Sequence, residues 1–199
     1  MVDPEDIEID FAWDDATEQI RQWHYLASNE DYFSRYVFEY LAFIAYVNTI
    51  LLSYTRWDRE AIQKLKRCNE ASSLYLSKIK SDKDLKKNWN KIKNGLFHEP
   101  LENSAEFRNP RVIGEWWNFS GERLEEKTIV EQKKSAGRIH SLNDWQNMIE
   151  FFYTIRNNLF HGNKSPDNER DRFLVEFGYK TLRELVEIFI SGPLNCRVS

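Results

Sequence analysis

Arg156 and His161 stand five residues apart in the run Ile155-Arg156-Asn157-Asn158-Leu159-Phe160-His161-Gly162, with an amide, Asn157, beside the arginine. The run closes an amphipathic helical pattern, and helical geometry places residues four apart about 40° apart around the axis. Asn157 and His161 therefore share a face, and the long side chain of Arg156 can swing toward them. Gly162 suits a left-handed helix end. A guanidinium, an amide and an imidazole gathered at one helix terminus fit a phosphodiester. The imidazole moves protons near neutral pH, while the guanidinium grips phosphate oxygens through paired hydrogen bonds. A bare Arg-to-His spacing is a weak signal, and the same residues could serve as a helix-end cation and a cap. The added Asn, the periodic helix before the motif and the Gly after it sharpen the signal.

The string Arg156-Asn157-x-x-x-His161 resembles the Arg-Asn-x-x-x-His signature of HEPN domains, and the order of long helix, Gly and final helix is similar to theirs. The resemblance rests on about eight residues, with support from the helical pattern of roughly the last sixty. It implies an all-α, up-and-down helical bundle that dimerises, so that two motifs build one composite site. It also implies a metal-independent endoribonuclease with no cofactor. In that reading His161 transfers protons, Arg156 holds the scissile phosphate, and Asn157 orients His161 or the phosphate. The RNA's own 2′-hydroxyl attacks, leaving a 2′,3′-cyclic phosphate and a 5′-hydroxyl. A role in phage defence or a toxin-antitoxin system, with a cognate antitoxin or defence partner, follows from the resemblance alone. The rival expectation is a non-catalytic HEPN-like dimeric module that binds a partner protein or a nucleotide.

Composition narrows the setting. A chain of 199 residues with 41% hydrophobic content can bury the core of a single domain, expected over residues 1–199. A net charge of -4 argues against an indiscriminate nucleic-acid binder, so any RNA contact must be local. The two cysteines, Cys68 and Cys196, have no metal-like spacing. A reducing cytoplasm is the simplest setting, although a disulfide between them stays compatible with the sequence. The start is acidic where a secretory signal would be basic and then apolar, and residues 1–12 read as a loosely ordered acidic tail. Tyr36 to Tyr54 is apolar enough to mimic a membrane span. Glu39, Asn48 and Thr49 interrupt it, and a core helix is the better reading, with no membrane partner.

Period and punctuation then set out the elements that must carry the motif. Helices are expected over Asp14 to Ala27, Tyr32 to Arg56, Asp58 to Cys68, Ser72 to Lys80 and Asp84 to Leu96. Leu85, Trp89, Ile92 and Leu96 mark the buried stripe of the last of these. The pattern fails from 101 to 138, where an irregular insertion is expected. Leu142 to Phe160 is the motif helix, striped by Trp145, Met148, Ile149, Phe152, Ile155 and Leu159. Ser165-Pro166 reads as the N-cap and first position of a final helix running to Ile190, with Leu174, Phe177, Leu182, Leu185, Ile188 and Phe189 facing inward. No Gly-rich phosphate loop, nucleophile elbow or metal-ligand cluster occurs.

Secondary candidates surround the motif. Lys83, Lys86, Lys87, Lys91 and Lys93 make one helix face basic, and Lys87 and Lys91 could track an RNA backbone. More often such a run is a solvated face. Lys164, three residues past His161, is better placed for phosphate. Lys93-Asn94-Gly95-Leu96-Phe97-His98 echoes the motif, but lysine lacks the planar fork of arginine and the chain is too short for two full HEPN units. Glu39, a lone charge in the most apolar helix, needs a partner, and Arg156 is one expectation, an ordinary surface cation the other. His24 and His140 show no constellation. The seven tryptophans, including Trp116-Trp117, could stack bases, although packing is the commoner use of indole.

Overall fold

The computed structural model describes residues 16–28, 31–52, 57–101, 117, 136–162, 165–192 and 194. Among them the secondary structure is entirely helical, with no strand. The acidic tail, Lys164, Cys196 and nearly all of the 101–138 insertion lie outside the described residues. No helix among the described residues is long and apolar enough to cross a membrane.

Helix α1 covers residues 16–26. Asp31 then caps α2 (Tyr32–Ala45), its carboxylate accepting the Phe33 and Ser34 amides at 2.9 and 3.4 Å. The expectation of one α-helix from Tyr32 to Arg56 needs correction. Past Ala45 the chain widens into a π-helix, Tyr46–Leu51. Thr49 Oγ1 donates to the Ala45 carbonyl at 2.5 Å, competing with the regular ladder in a stretch rich in β-branched residues. Helices α3 (Asp58–Lys66) and α4 (Asn69–Ser81) follow, then α5 (Lys83–His98), capped by Asp82. The motif helix is α6 (Trp145–Phe160), three residues shorter at its start than the periodicity suggests. The final helix is α7 (Glu169–Ser191). Ser165-Pro166 opens a tight turn ahead of α7 instead of capping it, with the Asn168 amide donating to the Ser165 carbonyl at 3.1 Å.

The chain divides into two compact units, Met1–Tyr75 with Leu182–Ser199, and Leu76–Thr181. The first unit packs α1, α2, the π-helix, α3 and the end of α7 around aromatic rings. Tyr46 and Phe43 both stack on Phe189, at 4.7 and 6.1 Å between centroids. Cys68 is buried in this unit and is disulfide-bonded, a state that a reducing compartment disfavours. The second unit holds α5, α6 and most of α7. Its core is Trp89 of α5 against Phe151 and Phe152 of α6, at 5.7 and 5.6 Å. Helices α5 and α7 run antiparallel, since Lys91 meets Phe177, Gly95 lies under Phe173, and Glu99 pairs with Arg170.

Candidate functional site

The end of α6 is built by its sequence. Met148, Ile149, Phe152 and Ile155 are fully buried, which fixes the rotation of the helix and leaves Phe160 and His161 facing solvent. The helix stops because Gly162 adopts φ +68°, with its amide bonded to the Leu159 carbonyl at 3.1 Å and the His161 amide to Asn157 at 3.0 Å. The left-handed end expected at Gly162 is therefore present. Among the described residues nothing approaches within 4 Å of where a Cβ at Gly162 would stand.

Arg156 is half-buried and Asn157 is buried. Arg156 Nη1 donates to Asn157 Oδ1 at 3.0 Å, and the guanidinium carbon lies 4.7 Å from the centre of the Phe160 ring. Asn157 Oδ1 is thereby the acceptor for the guanidinium, a contact that the sequence did not anticipate. A buried amide oxygen must find a donor, and here the neighbouring arginine supplies it. The cation is thus held between an amide and an aromatic ring. The imidazole of His161 is exposed one turn beyond Asn157.

Other expected residues fall elsewhere. Lys87 and Lys91 are exposed on α5, and Lys91 Nζ sits 4.7 Å over the Phe177 ring, so α7 already engages it. The pairing of Glu39 with Arg156 is corrected. Glu39 is fully buried, and its Oε1 lies 2.6 Å from His24 Nδ1 within the first unit. His24 thus has the partner that the sequence did not reveal, because fifteen residues and a helix turn separate the two. Burial pushes the Glu39 carboxyl above the ordinary carboxylate range, with the His24 bond the largest influence in the other direction. Among the described residues its second oxygen meets no hydrogen-bond donor.

Helix α6 also carries a buried polar row that periodicity did not flag. Asn147, Glu150 and Thr154 have no exposed surface and lead along the helix to Asn157 and Asn158. At its start the Asp144 carboxylate accepts the His140 amide at 2.8 Å and Asn147 Nδ2 at 2.9 Å. Burial raises the pKa of Asp144 against these bonds. Among the described residues no group of three or more His, Cys, Asp or Glu side chains is placed to hold a metal ion.

The fold and site define a helical chain whose chemistry-bearing cluster closes one helix. No family model, curated protein or solved structure matches it.

Proposed function

We propose that the protein is a metal-independent endoribonuclease of HEPN type that acts as a homodimer, two copies of the α6 end forming one site. What supports this reading is the held guanidinium: Asn157 and Phe160 hold Arg156 on the same last turn of α6 that carries the exposed His161, the two side-chain types that phosphate binding and proton transfer require. The 2′-hydroxyl of RNA attacks the adjacent phosphorus and gives up its proton to one imidazole. The 5′-oxygen leaves with a proton from the other imidazole. Two proton transfers call for two imidazoles, and a two-fold dimer supplies both from His161. Arg156 neutralises the charge that gathers on the phosphate oxygens in the transition state. An effector of phage defence, or a toxin held by an antitoxin, is the role this chemistry suits.

The test is incubation of the protein and its His161→Ala variant with total RNA in EDTA, followed by analysis of the cut ends. Cleavage by the parent alone, with 2′,3′-cyclic phosphate ends, supports the reading. Silence from both, with dimers present, turns it toward a non-catalytic binding module.

A further inference from the structure

The echo segment at the end of α5 reproduces the surface of the motif, not only its letters. Phe97 is 68% exposed and Phe160 57%, although both rings close amphipathic helices whose inward positions are sealed. Each carries a guanidinium: Arg138 lies 5.9 Å from the Phe97 centroid, as Arg156 lies 4.7 Å from that of Phe160. Each is followed by an exposed histidine, and His98 meets the Phe97 ring edge-on at 5.4 Å. The guanidinium at Phe97 comes from a distant segment and is delivered by structure. The Leu101 amide donates to the Gly137 carbonyl at 2.9 Å, bringing Arg138 alongside the end of α5. Gly137 has φ +71°, and a Cβ there would lie 2.5 Å from the Leu101 carbonyl oxygen, so this approach needs glycine.

The chain also links the two helix ends. After His161 a short connection containing a tight turn leads to α7, whose Arg170 bonds the Glu99 carbonyl and pairs with its carboxylate at 2.8 Å. The motif thus feeds directly to the terminus of α5. Along α5, Lys83, Lys86, Lys93 and Phe97 fall within about 80° of arc, flanking the buried stripe of Leu85, Trp89, Ile92 and Leu96. A basic strip ends in an exposed ring topped by a cation. Phosphates suit the strip, and the π-face of an unpaired nucleobase suits the ring.

We propose that the end of α5 is a second contact site for the RNA strand, where Phe97 stacks an unpaired base and Lys86 and Lys93 meet flanking phosphates. It rests on the ribonuclease reading for the identity of the ligand. His98 takes no part in bond breaking. The site explains how a chain of net negative charge engages RNA locally, and it favours a single strand, because a base inside a duplex cannot offer its face.

The experiment measures fluorescence anisotropy of a fluorescein-labelled, twelve-nucleotide single-stranded RNA with His161→Ala protein, which leaves the probe uncut. Adding Phe97→Ala is expected to weaken binding about 5- to 100-fold, the range for loss of one stacked base. Phe97→Trp restores it, and binding of the matched duplex is unchanged by either. Binding of the single strand that is indifferent to Phe97→Ala overturns the proposal, as does an absence of strand binding. Cleavage by the wild-type protein in EDTA judges the ribonuclease reading separately, so that cleavage with indifference to Phe97 removes the second site alone.

Discussion

The imidazoles of His161 and His24 occupy opposite environments. One stands open at a helix end whose guanidinium is held by a buried amide and an exposed ring. The other is pressed 2.6 Å from a carboxylate with no exposed surface, where its polarity is consumed in holding two helices of the first unit together. The difference teaches that an ionisable side chain is available for chemistry when its neighbours are satisfied without it. Asn157 accepts from Arg156, and among the described residues His161 stays exposed; Glu39 depends on His24, which leaves that imidazole committed.

The sharpest way to break the comparison is substitution of each histidine. His161→Ala is expected to lower RNA cleavage by at least about 10³-fold, while stability changes by less than about 0.5 kcal/mol, because the side chain is exposed. Cleavage rates and thermal melts together test this, and a large loss of stability would place His161 among the structural residues. His24→Ala should do the reverse. Removing one partner of a buried pair costs about 3 kcal/mol near neutral pH, read by urea unfolding.

That cost depends on pH with a definite sign. Burial raises the folded pKa of Glu39 above its ordinary value of 4.5. Its contribution to stability is therefore complete below 4.5 and is lost as pH rises through the folded value. Without His24 the carboxyl loses the largest influence opposing that rise, so the penalty in His24→Ala grows from acid to neutral pH. Arg183 and Glu187 also act on Glu39, and Arg183 is itself bonded to Glu187 and Ser28, so neither replaces the imidazole. Unfolding curves for parent and variant that stay parallel from about pH 4.5 to pH 8 would show that the pair carries no such linkage.

Arg156→Lys sharpens the exposed side of the comparison. Lysine keeps the charge but lacks the planar fork that donates to Asn157, lies over Phe160 and could grip a phosphate in two places. Cleavage is expected to fall about 10²-fold with RNA binding nearly intact, seen as a drop in kcat with little change in KM. Equal activity of the lysine variant would mean that Asn157 positions nothing.

Much of the helical scaffold was legible because burial follows period. Leu85, Trp89, Ile92 and Leu96 form the buried stripe of α5 that their spacing implies, and the stripe of α6 is buried in the same way up to Ile155. The motif's place at a left-handed helix end was legible in Gly162 for the same local reason. What escaped depends on tertiary partners. The π-helix arises where Thr49 reaches back to Ala45, which hydrophobicity does not register. Asn147, Glu150 and Thr154 sit buried at positions that polarity alone assigns to solvent. Phe97 and Phe160 were visible as apolar residues beside histidines, but their exposure and the guanidinium over each ring come from packing.

The smallest effect concerns the residue that ends the motif helix. Gly162 lies at φ +68°, and no described residue comes within 4 Å of where a Cβ would go, so Gly162→Ala is expected to meet chiefly the backbone cost of a left-handed residue, about 1 kcal/mol. Gly137→Ala meets that cost and a backbone oxygen at 2.5 Å as well, and should be the more destabilising of the two. The Gly162 cost falls on the one turn that sets where His161 points. Cleavage should therefore drop several-fold while the melting temperature moves by only a few degrees for a chain of this size. A variant that melts as expected yet cleaves at the parental rate would show that the imidazole is not positioned by its own helix end.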